Sequence, residues 1–140
     1  MGMRVAVSLF FAVISLPLMA QDCALCGKWR SNEAKTLADI EARVPSYPAS
    51  LRKMFGKLNL EYSAKAVRVH MDGDPKPDET SWVPYTLEKR PAGQAQLLRM
   101  AGPDGKWQET AIEFHQGCYR ILIPTRQGPG FYDYFCRVPK

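Results

Sequence analysis

The chain has 140 residues, 46% hydrophobic and 24% charged, with 19 Lys and Arg against 14 Asp and Glu. That length makes one domain around one core. The formal charge of +5 is scattered, densest at Arg52-Lys53 and Glu88-Lys89-Arg90, so no basic run marks a nucleic-acid partner.

Residues 1–20 read as a secretory signal peptide. Arg4 opens it, Val5 to Leu18 form an apolar core broken only by Ser8, Ser15 and Pro17, and Ala20 precedes a cleavage point before Gln21. Cleavage removes one charge, Arg4, and leaves residues 21–140 as a single domain with no membrane span. All four cysteines lie in that exported part, which fits a periplasmic or secreted protein with disulfides. Four cysteines allow three pairings, and the sequence leaves the choice open. The favoured set joins Cys118 to Cys136 and Cys23 to Cys26; the rival ties Cys23 or Cys26 to the sheet.

Cys23-Ala24-Leu25-Cys26 has the spacing of a redox dithiol, but such a motif follows a strand and opens a helix in a βαβ unit. Here it precedes Gly27, where a haem attachment needs His. Cys118 and Cys136 lack the close spacing of a second zinc pair. Structural disulfides are the expectation, with no metal and no cofactor.

Residues 27–31 form a short strand carrying Trp29. From Asn32 the period becomes helical, with Leu37, Ile40 and Val44 on one side and Glu33, Lys35, Asp39, Glu41 and Arg43 on the other. Ser31 or Asn32 caps the first turn, Glu33 complements its positive end, and Pro45 ends it. A second short helix starts at Ser46-Tyr47-Pro48, turns Leu51, Met54 and Phe55 to one face, and stops at Gly56. The pair reads as a lid on a core.

Strands follow. Leu58, Leu60 and Tyr62 alternate with polar residues, then Val67, Val69 and Met71 do the same. Residues 72–78 are a loop, whose aspartates lack the glycine and glutamate of a calcium loop. Val83, Tyr85 and Leu87 share a face, with Pro84 marking a bend or an unpaired position. Gln96, Leu98 and Met100 lie opposite Ala95, Leu97 and Arg99. Gly102-Pro103-Asp104-Gly105 turns the chain. Thr110, Ile112 and Phe114 form one face of the longest strand, over 106–116. Two alternating runs around a Pro/Gly-rich loop then make a closing hairpin over 118–138. Pairing Ile123 with Phe131 places Cys118 opposite Cys136.

The fold expected is mainly β: an antiparallel meander closed into a small barrel of about eight strands, with two short helices after the first strand. Closure hides the edges of such a meander. A barrel of this size is filled by side chains or holds one small ligand. Leu58, Leu60, Val69, Tyr85, Leu98, Phe114, Ile121 and Phe135 would line that interior, with Trp29, Trp82 and Trp107 adding to a rich aromatic content. Arg99 points away from Leu98 and Met100. Only a slipped register turns it inward as an anion holder.

Gly27-x-Trp29 opening the first strand, with Arg137 in the last, resembles the calycin superfamily of lipocalins and fatty-acid-binding proteins. The likeness covers the two ends of the domain. It implies a barrel with an internal apolar pocket and Arg137 packed over Trp29; the helix pair departs from the lipocalin pattern. The Trp29–Arg137 pair is read first as a cation–π plug closing one end, which is compatible with that resemblance.

The sequence points away from an enzyme. His70 and His115 sit on polar faces. No nucleophile elbow, zinc helix or phosphate loop occurs, and nothing desolvates Glu109 or Glu113. Two functions remain: an exported binder of a small apolar or amphipathic molecule, or a disulfide-stapled envelope protein with a filled core. The second works by inhibiting an enzyme or joining a complex through loops such as 72–79 and 126–130.

Overall fold

A computed structural model describes residues 23–126 and 128–139. The signal-peptide expectation for 1–20 lies outside the described residues. Strands β1 (Gly27–Ser31), β2 (Leu58–Tyr62), β3 (Ala66–Met71), β4 (Val83–Glu88), β5 (Gln96–Ala101), β6 (Trp107–His115), β7 (Cys118–Ile123) and β8 (Phe131–Arg137) run in sequence order. They form a closed antiparallel barrel in which each strand pairs with its sequence neighbour and β8 returns to β1. Short turns make sequential pairing the low-entropy route, and closure leaves few N–H and C=O groups on an open edge. No helix among the described residues is long and apolar enough to cross a membrane.

The closing hairpin adopts the expected register, with Ile123 opposite Phe131 and Cys118 opposite Cys136. Cys118–Cys136 is a disulfide, as is Cys23–Cys26. The rival pairing is set aside, and two disulfides point to a non-reducing, extracytoplasmic environment. Gly130 makes the hairpin return possible: its φ is +74°, and a Cβ there would lie 2.5 Å from the Ile123 carbonyl oxygen.

Helix α1 (Glu33–Arg43) is capped by Asn32, whose side chain accepts from the Lys35 N–H. It covers the part of β8 that β1 does not reach, since β1 pairs β8 only from Ser31–Phe135 to Trp29–Arg137. The Tyr134 N–H donates to Thr36 Oγ1 (3.0 Å) and the Tyr132 N–H to Asp39 Oδ2 (2.6 Å). Two helix side chains thus satisfy donors that a ninth strand would otherwise take. Ile40 and Val44 bury against Phe131, together with Tyr47 and Phe55, whose rings lie 4.9 and 5.5 Å from that of Phe131. The helical segment is a lid on one barrel end.

Helix α2 (Ala49–Arg52) is shorter than the pattern predicts, and the apolar face proposed for it divides. Phe55 packs inward, while Leu51 and Met54 are exposed. One turn without a side-chain cap cannot present a continuous face. Arg52 instead holds the chain by donating to the Tyr47 and Pro45 carbonyls.

The barrel is uneven. β3 and β4 share only Ala66↔Pro84 and Val67↔Val83, and the Tyr85 N–H continues to the Lys65 carbonyl. The chain enters β4 from a 3₁₀ turn (Glu79–Ser81), so pairing does not extend to Arg68–Met71.

Candidate functional site

The residues expected to line the interior divide by depth. Leu60, Tyr85, Leu98 and Phe135 are buried in the main core with Trp29, Tyr62, Val67, Ile112 and Tyr119, while Leu58 and Ile121 pack against it. Val69 and Phe114 face inward by register but are 40% and 38% exposed. Val69 follows the point where β3 loses β4, which accounts for its exposure. The other aromatic expectations need correcting. Trp107 is 51% exposed, and Trp82 lies against the Arg68 guanidinium at 4.5 Å from its ring. Both belong to the outer surface. Arg99 is also exposed, because the register does not slip: it pairs with Glu109 at 2.7 Å.

Ring contacts cross the interior. Trp29 lies 4.9 Å from Tyr119, which stacks on Phe135 at 5.1 Å, and Tyr62 meets Tyr85 edge-on at 5.1 Å. The Tyr62 and Tyr119 hydroxyls bond each other at 2.9 Å inside the core. Burial pushes Tyr62 up to about 12 and Tyr119 well above its ordinary value, so both stay neutral hydroxyls at physiological pH. The Tyr85 hydroxyl donates to the Ser63 carbonyl at 2.6 Å.

One barrel end is sealed by the residues of the Gly-x-Trp pattern. The Arg137 guanidinium sits 4.4 Å over the Trp29 ring and donates to the Cys26 and Ala24 carbonyls. Trp29 Nε1–H donates to the Leu25 carbonyl at 2.7 Å, and Leu25 is itself buried. Gly27 has φ +119°, and a Cβ on it would come within 3.3 Å of Arg137 Nη1. The Cys23–Cys26 disulfide holds the loop whose carbonyls receive Arg137, which gives that bridge a structural task.

A half-buried carboxylate is the feature that sequence reading passed over. Asp133 shares the inward face of Phe131 and Phe135 and pairs in register with Ile121. Thr36 Oγ1–H donates to its Oδ1 at 3.0 Å. Burial pushes the carboxyl up to about 6, against the opposing pull of hydrogen bonds from Thr36 and the Tyr134 backbone. The signal was present as Phe131-x-Asp133-x-Phe135, a polar residue in phase with two apolar ones.

The outer wall carries an open cavity. Lys28, Glu61 and Arg68 form one row across β1, β2 and β3, and Asn59 and His70 belong to the next. With Lys76 and Pro77 of the β3–β4 loop on one side and Val138 on the other, they enclose about 360 Å³. His70 therefore lines a groove, although its polar-face placement holds. The loop is pinned at its entry by Arg30 to Asp72 (2.6 Å) and at its exit by the Arg68–Trp82 contact. The Asp72 carboxyl is held at about 2 by its hydrogen bonds from Arg30 and Asn59.

Searches for similar proteins, among family models, curated proteins and solved structures, find no match to this chain. The closed eight-stranded barrel is compatible with a calycin-like fold.

Proposed function

We infer that this is an exported protein, periplasmic or secreted, that acts through its surface on an envelope protein partner, as an inhibitor or as a subunit of a complex. The observation that carries this reading is the Tyr62–Tyr119 hydroxyl bond, made across an interior occupied by ring contacts. A ligand seated there would have to break a buried hydrogen bond and displace packed aromatic side chains, each worth several kcal/mol, on the order of 3–5 for truncation of a large core residue. Open cavities of about 360 and 830 Å³ lie on the outer wall and rim.

A second reading has one observation in its favour. Val69 is inward-facing yet 40% exposed beside the short β3–β4 ladder, and so offers an approach to the interior for a small apolar molecule. Native mass spectrometry of protein taken from its source separates the two. Bare protein without hydrophobic-dye uptake is the expected result; a co-purifying lipid or apolar metabolite sinks the surface-acting reading.

A further inference from the structure

Charge is not evenly matched around this barrel. The outer face of β5 to β7 is balanced by cross-strand ion pairs, Arg99 with Glu109 and Arg120 with Glu113. The groove over β1, β2 and β3 is not. Its cavity adjoins a second one, about 830 Å³, lined by Arg137, Gly27 and Pro139 and sharing Lys28, Glu61 and Val138 with the first. Among the described residues that line the combined groove stand four fixed cations, Lys28, Arg68, Lys76 and Arg137, against one carboxylate, that of Glu61.

That carboxylate is already engaged, with Arg68 Nη2 at 2.9 Å. Among the described residues, Arg137 meets the Cys26 and Ala24 carbonyl oxygens and the Trp29 ring and enters no ion pair. Lys28 and Lys76 enter none of the ion pairs found among the described residues. The acidic residues of the β3–β4 loop do not relieve them. Asp72 is taken by Arg30, Asp78 caps the 3₁₀ turn, Glu79 reaches only Arg68, at 3.9 Å, and the exposed Asp74 lines neither cavity and enters none of the ion pairs found among the described residues.

We propose that this groove binds an extended, carboxylate-rich segment of a partner protein. The proposal rests on the surface-acting reading and names the chemistry of the partner. The cations are strung out rather than convergent: Lys76 lines one cavity, Arg137 the other, and Lys28 both. A compact anion reaches one of them, whereas a chain with carboxylates at intervals reaches all. The walls are preorganised, since the loop is pinned by Asp72 and Trp82 and the Val138 N–H bonds the Lys28 carbonyl at 2.9 Å. Little ordering remains to oppose binding, and steering by the cations makes it salt-sensitive.

The test is fluorescence polarisation with labelled hexaglutamate, and hexaglutamine as the uncharged control, at low salt. The full exported chain is expected to bind the first and not the second. K28E/K76E weakens binding about tenfold or more. K89E/K106E, which changes net charge equally at exposed positions outside both cavities, leaves it within about twofold. Equal weakening by the two double variants overturns the proposal, because net charge alone then explains binding. Displacement of the peptide by an equal concentration of inorganic phosphate also overturns it, in favour of a small-anion site. Absence of hexaglutamate binding while the protein purifies bare removes the groove and leaves the surface-acting reading standing. A co-purifying apolar ligand, beside normal peptide binding, removes that reading and leaves the groove.

Discussion

Two places on the barrel wall lack full strand pairing, and they are handled in opposite ways. Beyond Phe135, toward its start, β8 has no β1 partner, yet Thr36 and Asp39 of α1 receive the Tyr134 and Tyr132 N–H groups and Phe131 is sealed beneath the lid. Beyond Val67, β3 has no β4 partner, and Val69 and Met71 are left exposed. The first gap is closed by side chains reaching over a strand edge; the second is skirted by a loop pinned at Asp72 and Trp82. A barrel edge does not need another strand if something else satisfies its donors. Where nothing does, apolar side chains surface and a route for exchange or binding opens.

The largest expected effect tests the sealed gap. Phe131→Ala removes a fully buried ring touching Tyr47 and Phe55 and should cost about 3–5 kcal/mol in urea unfolding. Val69→Ala, on the open side, should cost less than about 1.5 kcal/mol because the side chain is already partly solvated. Equal costs would erase the distinction between the gaps.

Asp133 gives the next effect, and its sign follows from the direction of its shift. The folded carboxyl titrates near 6, above the ordinary 3.8, so the folded state holds the proton more tightly. Its stabilising contribution is full below about pH 4, falls as pH rises toward 6, and is absent above that. The fall is at most about 3 kcal/mol for a shift of this size. Asp133→Asn keeps an acceptor for Thr36 but cannot ionise. It should flatten this part of the stability curve and leave the variant more stable than the parent at pH 8. A parent protein that gains stability relative to the variant between pH 4 and 6 contradicts the burial of this carboxyl.

The smallest effect is local. Amide exchange should be slow at Tyr132 and Tyr134, whose donors are engaged by α1, and faster along the β4-facing edge over 68–71. Thr36→Val should selectively accelerate Tyr134, with about 1–3 kcal/mol of lost stability for the donor left unpaired.

Much of the wall was legible before any coordinates. The period-2 runs located the strands, and the spacing of Ile123 and Phe131 set the register that brings Cys118 to Cys136. Gly27, Trp29 and Arg137 marked the end where the first and last strands meet. Less legible were features made by residues far apart in the chain. Thr36 looked like one more polar helix position, and its burial follows only from α1 lying along β8. Trp82 and Trp107 looked like core residues from their size, yet parity and the loop path put both outside. The shortened α2 has the same origin, since Phe55 turns toward Phe131 while Met54 does not.

By itself, then, the sequence determined the alternation of strands, the turns between them and a hairpin register that sets Cys118 opposite Cys136, because each depends on spacing within one or two neighbouring strands. Only the tertiary structure decided that aromatic rings meet across the interior, that Asp133 lies under a helix, and that Lys28, Arg68, Lys76 and Arg137 stand along one groove. Those are distances across the barrel and around its wall. They follow from how far the sheet curls before it closes, which no local pattern of residues encodes.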